Sequence, residues 1–139
     1  AGGPAQPYEN APTHYQYDSA RTPFRIAQDY CDYGEPRAKA YLDKVIGFFQ
    51  GVGAANIVDG YNLDGTPNAE NEGMQAALFV GAATVGAMSD ARFRPLLDEG
   101  YQLLVTKEMF PPSYYFNMSW QVFSLLMLSG NLFDYTLHP

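Results

Sequence analysis

The sequence predicts an all-α protein of about five helices, and two observations carry that prediction. Five segments show apolar residues at helical spacing, with glycine or proline near their ends. The third segment is apolar on nearly every side, which is typical of a helix that other helices surround. The length of 139 residues suits one helical domain or part of one.

Helix start and stop residues set the predicted boundaries. Pro23 has a fixed φ and no N–H, so it suits the first helical position after a Thr22 cap. Gly34 is expected to end that helix, because glycine favours the position just past a helix end. The predicted helices span about 23–33, 36–50, 70–88, 89–107 and 113–128.

The connection 52–69 has no helical period. Within it, Ile57-Val58 is expected to pair briefly as a strand, and Asn68 is expected to cap the third helix. The apolar stripe predicted for the second helix consists of Ala40, Val45, Ile46 and Phe49.

Composition excludes several classes of function. A net charge of −7, with only eight Lys and Arg, argues against binding to nucleic acid or to anionic membranes. No apolar run reaches the roughly 18–20 residues that span a bilayer. Residues 1–14 contain three prolines and no apolar core, so they are expected to form an extended lead-in. The single cysteine, Cys31, is expected to be a small buried residue.

Metal-ligand and cofactor motifs are not evident. His14 and His138 lie far apart in sequence and lack a zinc spacing, and we find no phosphate-binding loop. We therefore expect neither a metal nor an organic cofactor.

A polar stretch lies where the first helix begins. Asp18 and Arg21 are expected in the turn that leads into the helix, whereas Arg25 and Asp29, four residues apart, share one of its faces. A guanidinium beside a carboxylate favours the ionised form of that carboxylate. From these residues alone, an exposed ion pair at a helix entry is the simpler interpretation.

The same stretch resembles glycoside hydrolase family 8, the bacterial endoglucanases and related β-glycanases. Tyr-Asp-Ser-Ala-Arg-Thr-Pro-Phe-Arg-Ile-Ala (17–27) is similar to the family's Tyr-Asp-Ala-x-Arg-x-Pro-Trp-Arg segment. Three further matches follow in the family's order, at residues 33–38, 57–61 and 125–131. The resemblance covers roughly residues 15–135, the C-terminal half of the family's domain.

The resemblance implies a partial (α/α)6 barrel, in which about five of twelve helices are present and apolar faces need the other half. It implies that Asp18 is the general base of an inverting hydrolysis, and that Tyr17 and Arg21 orient Asp18 and bind substrate hydroxyls. Tyr115 is implied as a sugar contact, because a tyrosine-rich segment of the family lines the cleft there. Trp120 is interpreted as a core residue rather than a sugar platform, and Phe24, which stands where the family usually has Trp, fits core packing equally well.

The resemblance also defines what this chain lacks. The family's catalytic glutamate belongs to its upstream part, and no glutamate here has a matching context. We therefore expect a partner that is the N-terminal half of the same barrel, as a second chain or a missing segment. The expected substrate is β-1,4-linked glucan, with xylan and chitosan left open, and the expected location is extracellular.

Two other classes of function remain open at this point. One is a helical glycan-binding or structural module without complete catalysis, and the other is a helical domain that binds only proteins. Proteins of both alternative classes would have the same helical fold but would not catalyse glycoside hydrolysis. A partner that supplies a catalytic glutamate is the feature that separates them from the enzyme.

Overall fold

The computed structural model describes residues 14–68, 74–107, 109 and 114–132. Within these ranges the chain forms α1 (Tyr17–Tyr33), α2 (Pro36–Val52), α3 (Ala77–Gly86), α4 (Arg94–Thr106) and α5 (Tyr115–Leu128). Three-residue 3₁₀ helices lie at Ala54–Asn56, Ala87–Ser89 and Ala91–Phe93. The all-α prediction is confirmed. Of the expected lead-in 1–14, all but His14 lies outside the described residues.

The other four described helices pack around α3. It lies between α1 and α5, while α2 packs on α1 and α3, and α4 packs on α3 and α5. All ten residues of α3 are buried, which confirms that this helix is surrounded. The described part of the chain buries α3 completely, so its burial does not require further helices of a barrel.

Glycines allow the neighbours of α3 to approach closely. A Cβ on Gly81 would overlap the side chain of Ser124 on α5, and one on Gly100 of α4 would overlap Thr84 of α3. A Cβ on Gly86 would overlap Ile46 of α2. The helices α2, α4 and α5 therefore each contact α3 at a glycine, which lets the two backbones approach closely.

An apolar surface remains on α5. Three of its residues are large, apolar and about half exposed: Met118 at 56%, Val122 at 54% and Phe123 at 46%. Met118 and Val122 lie four residues apart and so share one side of the helix, and Phe123 extends this surface at its edge. We call this surface the α5 face; it is an apolar surface that the described residues leave partly uncovered.

The first helix begins six residues earlier than predicted, and the prediction of a Thr22 cap was wrong. α1 starts at Tyr17 after the N-cap Gln16, whose side chain makes no cap bond, and Pro23 lies inside the helix with its ring buried. The cause is tertiary. Tyr15 and Tyr61 exchange two backbone hydrogen bonds of 2.9 Å, which fix the chain just before α1.

The third helix begins later than predicted, and Asn68 is not its cap. α3 starts at Ala77, and residues 74–76 are not helical because the side chains of Asp59 and Gln75 hold them. An Asp59 oxygen accepts from the Ala76 N–H at 2.5 Å. Gln75 donates at 2.9–3.1 Å to three backbone carbonyls, those of Ala54, Ala55 and Ile57. The predicted residues 70–73 lie outside the described ranges.

Other boundaries agree more closely with the prediction. α2 begins at Pro36 as expected and continues two residues beyond Gln50, to the cap Gly53. α5 ends at Leu128 as predicted, and Ser113, its predicted start, lies outside the described residues. Gly34 adopts the left-handed conformation (φ 66°) and ends α1.

Three smaller predictions need correction. The isolated β-bridges in the described part of the chain involve Tyr61 rather than Ile57-Val58. The stripe on α2 includes Ile46 and Phe49 as predicted, but Ala40 is exposed. Cys31 is exposed rather than buried. Among the described helices, none combines the length and apolarity that crossing a bilayer requires.

Candidate active site

The first turns of α1, α3 and α5 meet at one end of the fold. The ring of Tyr17, the first residue of α1, lies 5.2 Å from the ring of Phe79 in α3, at 88°. It also lies 6.1 Å from the ring of Phe116, the second residue of α5. We call Tyr17, Phe79 and Phe116 the aromatic cluster. Around it, three helix N-termini present their positive dipole ends to the same region.

A buried carboxylate holds Tyr17 in this cluster. The Tyr17 hydroxyl donates to Asp59 Oδ2 at 2.8 Å, and Asp59 is fully buried. Burial raises the pKa of the Asp59 carboxyl above its ordinary value, although the bonds from Ala76 N–H and Tyr17 act in the opposite direction. Burial and the bond to Asp59 also raise the pKa of Tyr17, so its hydroxyl stays protonated at neutral pH.

Asp18 and Arg21 form an ion pair on the surface of α1. They lie three residues apart within the first turns of the helix. The sequence predicted them in a turn before the helix, and that placement was wrong. The side chain of Asp18 is 92% exposed and that of Arg21 is 46% exposed. An exposed pair of this kind contributes little to stability. With the residues that the structure describes, the Asp18 carboxylate is therefore accessible to a ligand from solvent.

The two aromatic residues singled out on α5 differ sharply in environment. Tyr115 is 79% exposed at the start of the helix, next to Phe116 of the aromatic cluster. Trp120 is 8% exposed and packs edge-on against Phe24, with ring centroids 5.4 Å apart. The interpretation of Trp120 as a core residue is confirmed, and Phe24, for which the sequence left the role open, is buried as well. Tyr115 is free to stack on the apolar face of a sugar.

Two functional candidates, Asp59 and Gln75, received no role in the sequence analysis. Asp59 lies in one of the matched segments, 57–61, and the sequence suggested only a turn there. One signal could have revealed it. A carboxylate within two residues of both Ile57 and Tyr61, which are buried, needs hydrogen-bond donors from elsewhere in the fold. Gln75 offers no comparable local signal.

Fold and site together define a class of protein. The fold is all-helical, and the first turns of α1, α3 and α5 meet at one end of it. The surface at that end carries an exposed carboxylate–guanidinium pair and an exposed tyrosine. Such a surface suits a neutral, hydroxyl-rich ligand, because tyrosine stacks on sugar rings and charged groups hydrogen-bond to hydroxyls. Among the described residues, no group of three His, Cys, Asp or Glu side chains could hold a metal ion.

Comparisons with known proteins agree with the resemblance. No family model matches the sequence. An endoglucanase of Bacillus sp. (strain KSM-330) is 31% identical over an alignment of 120 residues that covers 84% of this chain and 24% of the relative. Endoglucanase A of Acetivibrio thermocellus is 32% identical over an alignment of 126 residues that also covers 84% of this chain and 24% of the relative.

Solved structures agree with these relatives. A β-1,3-1,4-glucanase from Paenibacillus sp. X4 superposes with a TM-score of 0.78 at 26% identity, over 90% of this chain and 32% of that chain. A GH8 xylobiose complex from Teredinibacter turnerae superposes with a TM-score of 0.71 at 23% identity, over 93% of this chain and 32% of that one, and shows the shared fold.

The chain matches a portion of the domain of these endoglucanases, and its helices match those of (α/α)6 barrel structures of glycoside hydrolase family 8. The resemblance drawn from the motif at residues 17–27 is thereby confirmed. The chain spans about a quarter of the length of the relatives that it matches.

Proposed function

We propose that this chain supplies the general base and part of the sugar cleft of an endo-β-1,4-glucanase-type enzyme. One observation carries the proposal: the exposed Asp18–Arg21 pair lies at the end of the fold where three helices begin. Exposed Tyr115 lies at the start of α5, at the same end. The names of the relatives, endoglucanases and a β-1,3-1,4-glucanase, support β-glucan as the substrate.

The proposed reaction is hydrolysis with inversion. Asp18 accepts a proton from a water molecule while the water oxygen bonds to the anomeric carbon and the glycosidic C–O bond breaks. A carboxylic acid on the opposite side of the sugar gives its proton to the leaving oxygen. Arg21 pairs with Asp18 and thereby orients the carboxylate toward the water, which a general base requires.

The second carboxyl group must come from outside this chain. Inverting glycosidases hold the two groups roughly 6.5–9.5 Å apart, so that a water fits between the base and the sugar. We infer that the N-terminal half of the barrel brings the acid, either as a second chain or within one longer polypeptide. Two facts support this: the chain spans 24% of its relatives, and the α5 face is uncovered.

In this proposal the substrate follows the names of the relatives, and the location follows the resemblance of the sequence motifs to the family. Cellulose or mixed-linkage glucan is the proposed substrate. Xylan and chitosan are alternative substrates to be tested on the same protein. Polymers of this size are hydrolysed outside the cell, so we place the enzyme there. The second candidate function is a glycan-binding module without catalysis, which the exposed Tyr115 would serve equally well.

The test is Asp18→Asn in the completed barrel, which keeps the shape of the side chain and removes the base. We expect kcat on β-glucan to fall by about 10²–10⁴-fold, with oligosaccharide affinity nearly unchanged. Asp98→Asn is the matched control, because it removes an exposed carboxylate from α4 that pairs with Arg94. It should keep wild-type kcat.

Two outcomes of this test and one further measurement distinguish the proposals. Wild-type hydrolysis by the Asp18→Asn barrel contradicts the role of the base. A wild-type barrel that binds oligosaccharides and hydrolyses none supports the glycan-binding module. ¹H NMR of the first product tests inversion, because a β-linked substrate must release the α-anomer.

A further inference from the structure

The carboxylate of Asp59 ties together three segments at the candidate site. Its Oδ2 accepts from the Tyr17 hydroxyl at 2.8 Å, and its Oδ1 accepts from the Ala76 N–H at 2.5 Å. The backbone N–H of Asp59 donates to the Met74 carbonyl at 3.1 Å. The start of α1, the chain that enters α3 and the segment around residue 59 are therefore fixed relative to one another by one fully buried residue.

The hydrogen bond between Tyr17 and Asp59 decides what the hydroxyl can do for a ligand. A phenol carries one proton and also accepts through its lone pairs. The proton of Tyr17 is committed to Asp59, so the hydroxyl oxygen has only acceptor capacity left for a ligand. A sugar hydroxyl or a water molecule that meets Tyr17 must therefore donate to it.

We propose that Asp59 is a positioning residue for the glycosidase reaction, which holds as a hydrogen-bond acceptor the hydroxyl of Tyr17, the residue that precedes the proposed base Asp18 in the chain. This inference rests on the proposed function. A base needs its water held in one orientation, and the Tyr17 oxygen that Asp59 fixes is the proposed acceptor for an O–H group of that water or of the sugar. Asp59 acts through Tyr17 and does not itself touch substrate.

The aromatic cluster makes the proposal testable with small changes. The Tyr17 ring is packed by Phe79 and Phe116, so Tyr17→Phe keeps the ring in place and removes only the hydroxyl. Asp59→Asn keeps the size of the side chain and offers an amide in place of two acceptor oxygens. Tyr17→Phe removes the hydrogen bond outright, whereas Asp59→Asn leaves one acceptor oxygen for two donors, the Tyr17 hydroxyl and the Ala76 N–H, and so weakens the same hydrogen bond from the other end.

The experiment is a double-mutant cycle on kcat in the completed barrel. We expect Tyr17→Phe and Asp59→Asn each to lower kcat by about ten-fold to a hundred-fold, which corresponds to one lost hydrogen bond to a charged group. The double variant should be no slower than the slower single variant, because the two residues act through one bond. Losses that multiply in the double variant would overturn the proposal.

A matched control separates positioning from general loosening of the same segment. The Tyr61 hydroxyl accepts from the Val58 N–H at 3.0 Å, and this bond does not involve Tyr17. Tyr61→Phe should lower the melting temperature and leave kcat unchanged. Should Asp59→Asn fail to fold, Tyr17→Phe decides alone: a folded Tyr17→Phe barrel with wild-type kcat overturns the proposal.

A readout without catalysis distinguishes this inference from the proposed function. In protein that carries 3-fluorotyrosine, the ¹⁹F resonance of Tyr17 is identified by its absence from Tyr17→Phe. Asp59→Asn should shift that resonance, whereas Tyr61→Phe should leave it in place. If the wild-type barrel is inactive and the resonance still shifts, the link between Asp59 and Tyr17 stands and the hydrolase proposal fails. An unshifted resonance overturns the link.

Discussion

At the scale of single residues, exposure separates aromatic side chains that sequence alone treats alike. Tyr115 and Trp120 lie five residues apart on α5, yet the first is 79% exposed and the second 8%. The difference arises from the neighbours: Trp120 packs on Phe24 from α1, whereas Tyr115 lies at the first turn, where the helix begins. A sugar can therefore reach Tyr115, and the core needs Trp120.

Tyr115→Ala should weaken oligosaccharide binding in the completed barrel by about 1–2 kcal/mol, the scale of one stacking contact with its buried area. KM should rise more than kcat falls, because stacking stabilises ground state and transition state alike. Isothermal titration with cello-oligosaccharides and steady-state kinetics measure both quantities. Tyr101→Ala is the control, because Tyr101 is a half-exposed tyrosine on α4 and its loss should not change affinity.

Trp120→Phe should show the opposite pattern. The smaller ring leaves a cavity against Phe24, so the melting temperature should fall while the sugar affinity of the folded protein is retained. Differential scanning calorimetry and the same titration test this. Loss of binding in Trp120→Phe together with normal binding in Tyr115→Ala would show the reverse assignment, with Trp120 in the cleft and Tyr115 outside it.

At the scale of elements, close packing around α3 depends on missing side chains. Gly81 and Gly100 each lie where a Cβ would overlap a side chain of the neighbouring helix, Ser124 or Thr84. Both of these side chains bond to a carbonyl of their own helix, which limits how far they can move away. The distance between α3 and its neighbours is therefore set by glycine.

Gly81→Ala and Gly100→Ala should each destabilise the fold by about 1–3 kcal/mol, the usual cost of overpacking a core. Gly47→Ala is the matched control, because a Cβ at Gly47 of α2 meets no atom within 4 Å. It should stabilise the protein by about 0.5–1 kcal/mol, since alanine favours a helix interior over glycine. Urea unfolding compares the three variants, and equal effects at all three positions would contradict this account of the packing.

An ion-pair network joins the segment between α3 and α4 to α2 and should make stability depend on pH. Lys39 pairs with Asp43 and, at 2.9 Å, with Asp90, while Arg92 pairs with Asp43. The bond from Lys39, followed by contacts with Arg92, lowers the pKa of both Asp43 and Asp90 below the ordinary value of 3.8. The stabilisation is present above pH 3.8 and is lost as the pH falls through the lowered pKa values.

We therefore expect the melting temperature to fall on acidification below about pH 4, and to fall less in Asp90→Asn than in the wild type. Asp59 contributes with the opposite sign, because its raised pKa means that its contribution weakens as the pH rises above 3.8. Calorimetry between pH 7 and about pH 3 measures the difference. Parallel acid curves for the wild type and Asp90→Asn would show that the network does not contribute.

At the scale of the whole molecule, the α5 face is a candidate contact surface for the rest of a barrel. Met118, Val122 and Phe123 on this helix are about half exposed. Contiguous apolar surface beyond roughly 300–600 Å² is rare on a soluble monomer. The isolated chain should therefore associate with the N-terminal half or with itself.

In sedimentation or light-scattering experiments, the isolated 15.4 kDa chain should not behave as a uniform monomer. Met118→Glu with Val122→Glu should reduce self-association and also binding to the N-terminal half, because charge on the α5 face opposes its burial. Leu63→Glu is the control, since Leu63 is 76% exposed in a loop away from this helix. A wild-type chain that is monodisperse at its own mass, with one sharp unfolding transition, would contradict this prediction.

The sequence determined the features that depend on neighbours within one or two turns. It determined the helical class, the start of α2 at Pro36 and the end of α1 at Gly34, because these follow from the φ preferences of proline and glycine. It also determined that α3 is buried all round, since every residue from Ala77 to Gly86 lacks a charge. The pairing of Asp18 with Arg21 followed from their spacing.

Only the tertiary structure decided where α1 and α3 begin and what holds the candidate site. Local preference placed a helix start at Pro23, but the backbone pairing of Tyr15 with Tyr61 set it at Tyr17. Asp59 keeps residues 74–76 out of α3 and fixes Tyr17, through partners 17 and 42 positions away in the chain. Hydrogen bonds over such separations outweigh a cap of about 1 kcal/mol, because leaving the fully buried Asp59 carboxylate without its donors would cost more.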